Sequence, residues 1–283
     1  MTRCQPALGT YVEIKAHTEG LVDIDAADAA LAHATDQAFA AIAEAQSCMS
    51  VFDPDSDLTH LNAGKFLDKP GRIHPWLWEV LSLAKEVHHL SSAFDPCIGL
   101  SLVRRGMRPD HGLTHPQTRS TLKDVLLLED YCVVTTQPVY LDLGGIAKGE
   151  AVDRAVQALQ THGVKSGCVN AGGDLRVFGQ QAQSIFLRHP SSPQNTTYIG
   201  ELQDGAIASS GDYFAADATA SSPRTGHLID PQDATCISTQ HSYSVIASRC
   251  AVADALTKVF AITGDVNHPA LRHFDAQPIL LPQ

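Results

Sequence analysis

Residues 25–50, DAADAALAHATDQAFAAIAEAQSCMS, limit what this chain can become more than any other stretch. The segment is Ala-rich and its apolar positions recur at helical spacing, so a long helix is expected. It should end near Phe52-Asp53-Pro54, because the residue before a proline is pushed out of the helical region. Thr10 to Ala16 (TYVEIKA) alternates and reads as a strand just ahead of it. His74-Pro75 opens a second helix with Pro in its first turn and Leu77, Val80, Leu81, Ala84 and Val87 as the apolar stripe.

The middle of the chain is strand-like at VLLLED, YCVVT and PVYLDL. A helix is expected over about Ile146–His162, stopped by Gly163, and further short strands at GCVNA, LRVFG, SIFLR and YSVIA. A last helix covers about Arg249–Ile262, with Val252, Leu256, Val259 and Phe260 apolar. Strands cluster and helices come in pairs without regular βαβα alternation, which reads as an α+β fold. The 283 residues suit one large domain or two small ones.

Composition removes several functions. With 20 Lys+Arg against 31 Asp+Glu the net charge is −11, which argues against a broad nucleic-acid or anionic-membrane surface. No run approaches the roughly 18 apolar residues of a membrane span, and no secretory signal is visible. The seven cysteines are odd in number, widely spaced and without a CxxC pair, a pattern expected of reduced thiols in a cytoplasm.

The segment richest in chemistry is Val139–Asp153, VYLDLGGIAKGEAVD. A strand should carry Asp142 to its end, Gly144 and Gly145 should make the turn with positive φ available, and a helix should follow. Its free N–H groups, with Lys148 beside them, suit a phosphate. The plainer alternative is a tight turn with a surface lysine. Asn170–Asp174 (NAGGD) reads as a hairpin turn, and Ala208–Tyr213 (ASSGDY) as a close-approach segment or merely a loop. Asp53–Asp57 superficially suggests a calcium loop, but Leu58 and Gly64 stand where Gly and Glu are needed. Asp254, Thr257 and Lys258 share one helix face. Periodicity alone favours a solvated Asp254–Lys258 ion pair over a metal site. His88-His89 read as a helix-surface pair, and nothing local makes His227 catalytic.

Taken together, LGTYVEI (8–14), MSVFDPDSDLTHLN (49–62), AFDPCIG (93–99), LDLGGIAKGEAVD (141–153), VNAGGDLRVFG (169–179), ASSGDYF (208–214), HLIDP (227–231) and ADAL (253–256) resemble the FAD:protein FMN transferase family, also called the ApbE family. The resemblance implies a single α+β domain over residues 1–283, related to T-fold proteins, with a mixed or antiparallel sheet and packed helices. It implies binding of FAD and Mg²⁺, and transfer of FMN through its phosphate to a Thr or Ser hydroxyl of an acceptor protein with release of AMP. The implied flavin positions are Leu8, Phe52, Ala93, Phe94, Asp95, Asp142, Lys148 and Ile229. The implied metal positions are the Gly145 carbonyl, the Asp254 carboxylate and the residue four beyond it, Lys258, with Thr257 as the neighbouring hydroxyl. Asp142, Asp254 and His227 are the candidates for the general base, with Asp254 and His227 carried as catalytic.

Three positions depart from the family pattern. Leu8 stands where Met is usual and Phe52 where Tyr is usual. Lys258 stands where the pattern DALST has its metal-binding Thr, since the sequence here is DALTK. A protonated lysine cannot coordinate Mg²⁺. Its ammonium either pairs with Asp254 or the pyrophosphate, or swings to solvent and leaves Thr257 or a water to complete the shell. A weaker magnesium site is expected in either case. The same residues would also suit an FAD pyrophosphatase, or a flavin-binding protein that has lost its chemistry.

Overall fold

The structure, a computed structural model, describes residues 1–17, 24–112, 119–211 and 228–282. Among the described residues, seven strands form one sheet whose spatial order is also their chain order. They are Thr2–Ala7, Thr10–His17, Ser166–Ala171, Asp174–Phe178, Gly205–Ser210, Ser242–Ala247 and Gln277–Leu281. Every neighbouring pair is antiparallel, so the expected α+β class holds. The first strand carries Pro6 and lies at an edge, where a residue without an N–H is tolerated.

Alternation along the strands decides what covers each face. Val12, Ile14, Ala16, Val169, Ala171 and Phe178 turn toward the helices Ile24–Met49 and Ala147–Thr161. Cys168 and Val177, one residue out of step, turn to the opposite face. There the hairpin of Gln183–His189 and Ser192–Leu202 covers them with Ile185, Leu187 and Leu202. The long helix runs over Ile24–Met49 as expected, and its buried Ala34, Ala38 and Ala45 keep its contact face flat. Pro75–Leu90 forms where the His-Pro pair predicts it, with His74 accepting a hydrogen bond from the Trp76 N–H and the stripe residues fully buried.

Two expectations are corrected. PVYLDL is extended but is not a strand, because its backbone bonds go elsewhere. Asn62 donates to the Leu141 carbonyl at 2.9 Å and accepts from the Leu141 N–H at 2.8 Å, while the Asp142 N–H reaches the Pro96 carbonyl at 2.8 Å. Conversely, Ala208–Ser210 is not loop but the end of the central strand Gly205–Ser210. Its small residues give no alternation, and Ala206, Ile207 and Ala208 are buried between the two covering layers. Asp212 and Tyr213 of that stretch lie outside the described residues.

Helices Ala147–Thr161 and Cys250–Thr263 cross where both begin, with no side chain between them at Gly149. A Cβ there would sit 2.4 Å from the Cys250 carbonyl oxygen. Neither helix has a side-chain cap of its own, and each caps the other. Asp153 accepts from the Cys250 and Ala251 N–H groups, both at 3.0 Å, and Asp254 accepts from the Gly149 N–H at 3.2 Å. Arg176 donates to the same Asp153 at 2.8 Å. Asp153→Ala therefore strips two N–H groups and a half-buried guanidinium of their partner, and should cost about 2–4 kcal/mol. Urea denaturation should show the midpoint falling with the slope unchanged; a midpoint within error of wild type would mean the cap is idle.

Candidate functional site

Two cavities lie side by side over the helix crossing. One of about 320 Å³ is lined by the Ala93–Pro96 loop, Ile229, Gly145 and Lys258, among others. A second of about 240 Å³ is lined by Leu8, Gly9 and the Met49–Phe52 end of the long helix. Arg108, Asp142, Gly144 and Lys148 belong to both walls and form the junction. All the described residues expected to contact a flavin therefore line one two-lobed cleft. Of the expected metal positions, Gly145 and Lys258 also line it, whereas Asp254 and Thr257 are fully buried beneath it. His227 lies outside the described residues.

At the junction Arg108 Nε donates to Asp142 Oδ2 at 2.5 Å, Arg108 Nη2 to Asp142 Oδ1 at 3.4 Å, and the Gly144 N–H to Asp142 Oδ1 at 3.0 Å. The Arg108 guanidinium also lies 5.3 Å from the centre of the exposed Phe52 ring, a cation–π distance. Gly144 and Gly145 are not among the positive-φ glycines, so the expected use of left-handed backbone is not met. They are needed for approach instead. A Cβ on Gly144 would stand 2.8 Å from Asp142 Oδ1 and 3.1 Å from Arg108 Nη2, and one on Gly145 would stand 3.2 Å from Lys258 Cε.

Below the junction lies a cluster of two carboxylates and two ammoniums. Lys148 pairs closely with Asp174, and its Nζ is 3.9 Å from Asp254 Oδ2. Lys258 pairs closely with Asp254 Oδ1 and donates to Thr257 Oγ1 at 3.0 Å. Thr257 in turn donates to the Asp254 carbonyl at 2.7 Å and meets the Ser210 hydroxyl at 2.8 Å. Burial opposes charge on Lys148, yet Asp254 and Asp174 outweigh it and hold the ammonium above its ordinary range. Burial and the nearby Asp254 push the Asp174 carboxyl up; burial of Asp254 is outweighed by Lys148, Lys258 and the Gly149 N–H, which hold it down. Asp254 is thus fully buried and Lys258 only 20% exposed, at the cleft wall, so the pair is not the solvated surface pair that periodicity suggests.

Sequence reasoning overlooks three residues of this neighbourhood. Asp174 follows the Gly172-Gly173 turn, which is a hairpin turn with φ of +67° and +110°, and the turn delivers its carboxylate to Lys148. Arg108 has no local signal beyond its charge. His88, expected at the surface, is half-buried and its Nδ1 lies 2.8 Å from the Phe94 carbonyl and 3.7 Å from Asp95 Oδ2, holding the Ala93–Asp95 loop.

The Mg²⁺ implied by the resemblance does not fit this donor set. Magnesium takes a near-octahedral shell of oxygens at about 2.0–2.1 Å. Here one Asp254 oxygen is taken by the Lys258 ammonium and the other by the Gly149 N–H, and the Lys258 stem packs on Gly145. Thr257 Oγ1 is engaged three ways, and no group of three or more His, Cys, Asp or Glu that could hold a metal occurs among the described residues. The ammonium takes the inward arrangement of the two the sequence allows.

Residues 8–277 match the family model described as the ApbE family. A Vibrio cholerae FAD:protein FMN transferase is 32% identical over 152 residues, covering 50% of this chain and 44% of that protein. One from Treponema pallidum is 26% identical over 307 residues, covering 96% of this chain and 82% of that protein. The chain thus spans less than half the length of the Vibrio relative and of a Rhodobacter capsulatus one, where coverage is also 44%. Among solved structures, the Vibrio cholerae flavin transferase ApbE superposes with a TM-score of 0.77 at 24% identity, covering 99% of this chain and 92% of that one. The Thermotoga maritima ApbE protein gives 0.74 at 25% identity, covering 99% and 94%. Among the described residues, no helix is long and apolar enough to cross a membrane.

Lys148→Met leaves Asp174 and Asp254 buried with one ammonium between them, and should cost roughly 2 kcal/mol at neutral pH. Asp174 already titrates above its ordinary range, so it protonates first as pH falls, and a neutral carboxyl no longer needs the lysine. The difference from wild type should therefore shrink with acidification in paired denaturation series; a difference independent of pH would contradict the pairing.

Proposed function

As the chain belongs to the ApbE family, we propose that it is an FAD:protein FMN transferase acting on a Thr or Ser hydroxyl of an acceptor protein. The observation that carries this is the two-lobed cleft with its cationic junction, which suits a long ligand with an anionic centre. One lobe, walled by Leu8 and Phe52, and the other, walled by Ala93-Phe94-Asp95 and Ile229, take the two ends of FAD. The pyrophosphate lies between them, against Lys148 and the glycine turn. The extent of the family match supports a single domain over residues 1–283.

In the reaction the acceptor oxygen bonds to the FMN phosphorus and the P–O bond to AMP breaks. AMP leaves with that oxygen and its electron pair, and the hydroxyl proton passes to AMP or solvent. Such a transfer needs position and positive charge more than covalent help. Arg108 and Lys148 supply charge, and Asp142 orients Arg108. Asp254 serves as a positioning residue for both lysines, since a fully buried carboxylate with both oxygens engaged and a lowered pKa is a poor base. Mg²⁺ is left out of this scheme because its ligands are engaged. A cytoplasmic setting belongs to the same reading. Its support is the cysteine pattern, seven in number, widely spaced and without a CxxC pair.

Incubation with FAD and a Thr- or Ser-bearing acceptor peptide, with and without Mg²⁺, should give flavin-fluorescent peptide and AMP in equal amounts. FMN and AMP with unlabelled peptide would make the chain a pyrophosphatase, and intact bound FAD a carrier. Gly144→Ala should displace the Arg108–Asp142 bridge and weaken FAD binding by about tenfold or more, read by flavin fluorescence.

A further inference from the structure

We infer that Lys258 is a built-in cation that replaces the family's divalent metal, so that this chain binds and cleaves the FAD pyrophosphate without one. The inference rests on the transferase reading for its substrate. Position 258 is where the resemblance implies a metal-binding Thr, and the ammonium here holds the same carboxylate that a metal would need. The side chain is not a surface lysine folded in by chance. It is 20% exposed, its stem lies along Gly145, where a Cβ would stand only 3.2 Å from Cε, and its tip opens on the cavity that Arg108 and Lys148 also line.

The hydrogen-bond count leaves room for a ligand. Among the described residues, one of its three N–H groups goes to Asp254 and one to Thr257, which leaves one for a phosphoryl oxygen. Thr257 is held in turn by Ser210 and by its own helix, so the ammonium is aimed and not free to wander. Lys148 flanks the other oxygen of the same carboxylate. Two ammoniums therefore bracket Asp254, and the helix that starts at the glycine turn adds its positive end. A divalent ion could enter only by expelling the Lys258 ammonium from Asp254 or by sitting beside a like charge. Lys258 contributes charge and a hydrogen bond throughout the transfer and neither gains nor loses a proton. The bonds broken and formed remain those of FAD cleavage and acceptor attachment.

The test measures FAD affinity by titration calorimetry and AMP release by chromatography, each in EDTA and in millimolar Mg²⁺, for wild type and Lys258→Thr. Wild type should show affinity and AMP release that agree within about twofold in the two conditions, and Lys258→Thr should bind FAD about tenfold or more weakly in EDTA with recovery in Mg²⁺. Wild-type affinity that rises tenfold with Mg²⁺, AMP release abolished by EDTA, or a variant that binds like wild type in EDTA would each overturn the inference. The two wild-type conditions need no variant to fold. With the acceptor peptide present, FAD binding that ignores Mg²⁺ but gives no flavin-labelled peptide supports the built-in cation and sinks the transferase reading. Labelled peptide and AMP that form only in Mg²⁺ do the reverse.

Discussion

Two helices that begin at one point hold the molecule's centre together. Ala147–Thr161 and Cys250–Thr263 approach so closely at Gly149 that backbone meets backbone, and each lends the other an aspartate for its orphaned N–H groups. Asp153 does only this structural work, with Arg176 and Arg249 beside it. Asp254 does it while facing the cleft floor, which is how a carboxylate comes to be fully buried next to a ligand cavity. The long Ala-rich helix and the sheet then pack around that crossing, and the loops that wall the cleft hang from it.

Much of this was legible in the residues, and the failures have physical causes. Helix ends were readable because their signals are local: Pro75 at an N-terminus and Gly163 just past a C-terminus. The extended stretch over 138–143 looked like a strand because it is apolar and buried. What denies it a ladder is Asn62, 79 residues from Leu141, and no local pattern reveals a side chain acting as a surrogate strand. The strand Gly205–Ser210 was invisible for the opposite reason, since a strand covered on both faces and built of small residues carries no period. Gly144, Gly145 and Lys148 were readable from the strand–turn–helix pattern, and the other cleft residues through their resemblance to a family. Asp174 and Arg108 escaped because only tertiary packing brings them to Lys148 and Asp142.

The buried charges are arranged for placement more than for stability. Taking carboxylates and ammoniums out of water is costly, and a close pair only roughly offsets that cost. What the cluster does gain is geometry. Each ammonium is held by a carboxylate that is itself fixed by the helix crossing or the hairpin turn, so neither lysine must be ordered when a ligand arrives. A flexible four-carbon stem is thereby made as definite as a rigid one.

The balance within that cluster also constrains the routes by which the sequence can change. Lys258 and a metal-binding Thr differ by one residue, but they are not neighbours in fitness, because removing the ammonium strands Asp254 unless a dication takes over at once. The exchange is therefore epistatic with the mineral content of the cell: tolerable where magnesium is abundant, harmful where it is scarce. Thr257 is tied back into its own helix through the Asp254 carbonyl, so its hydroxyl holds the ammonium and is not free to serve a metal in its place. Position 258 thus sets whether the cleft carries its own cation or depends on one from solution.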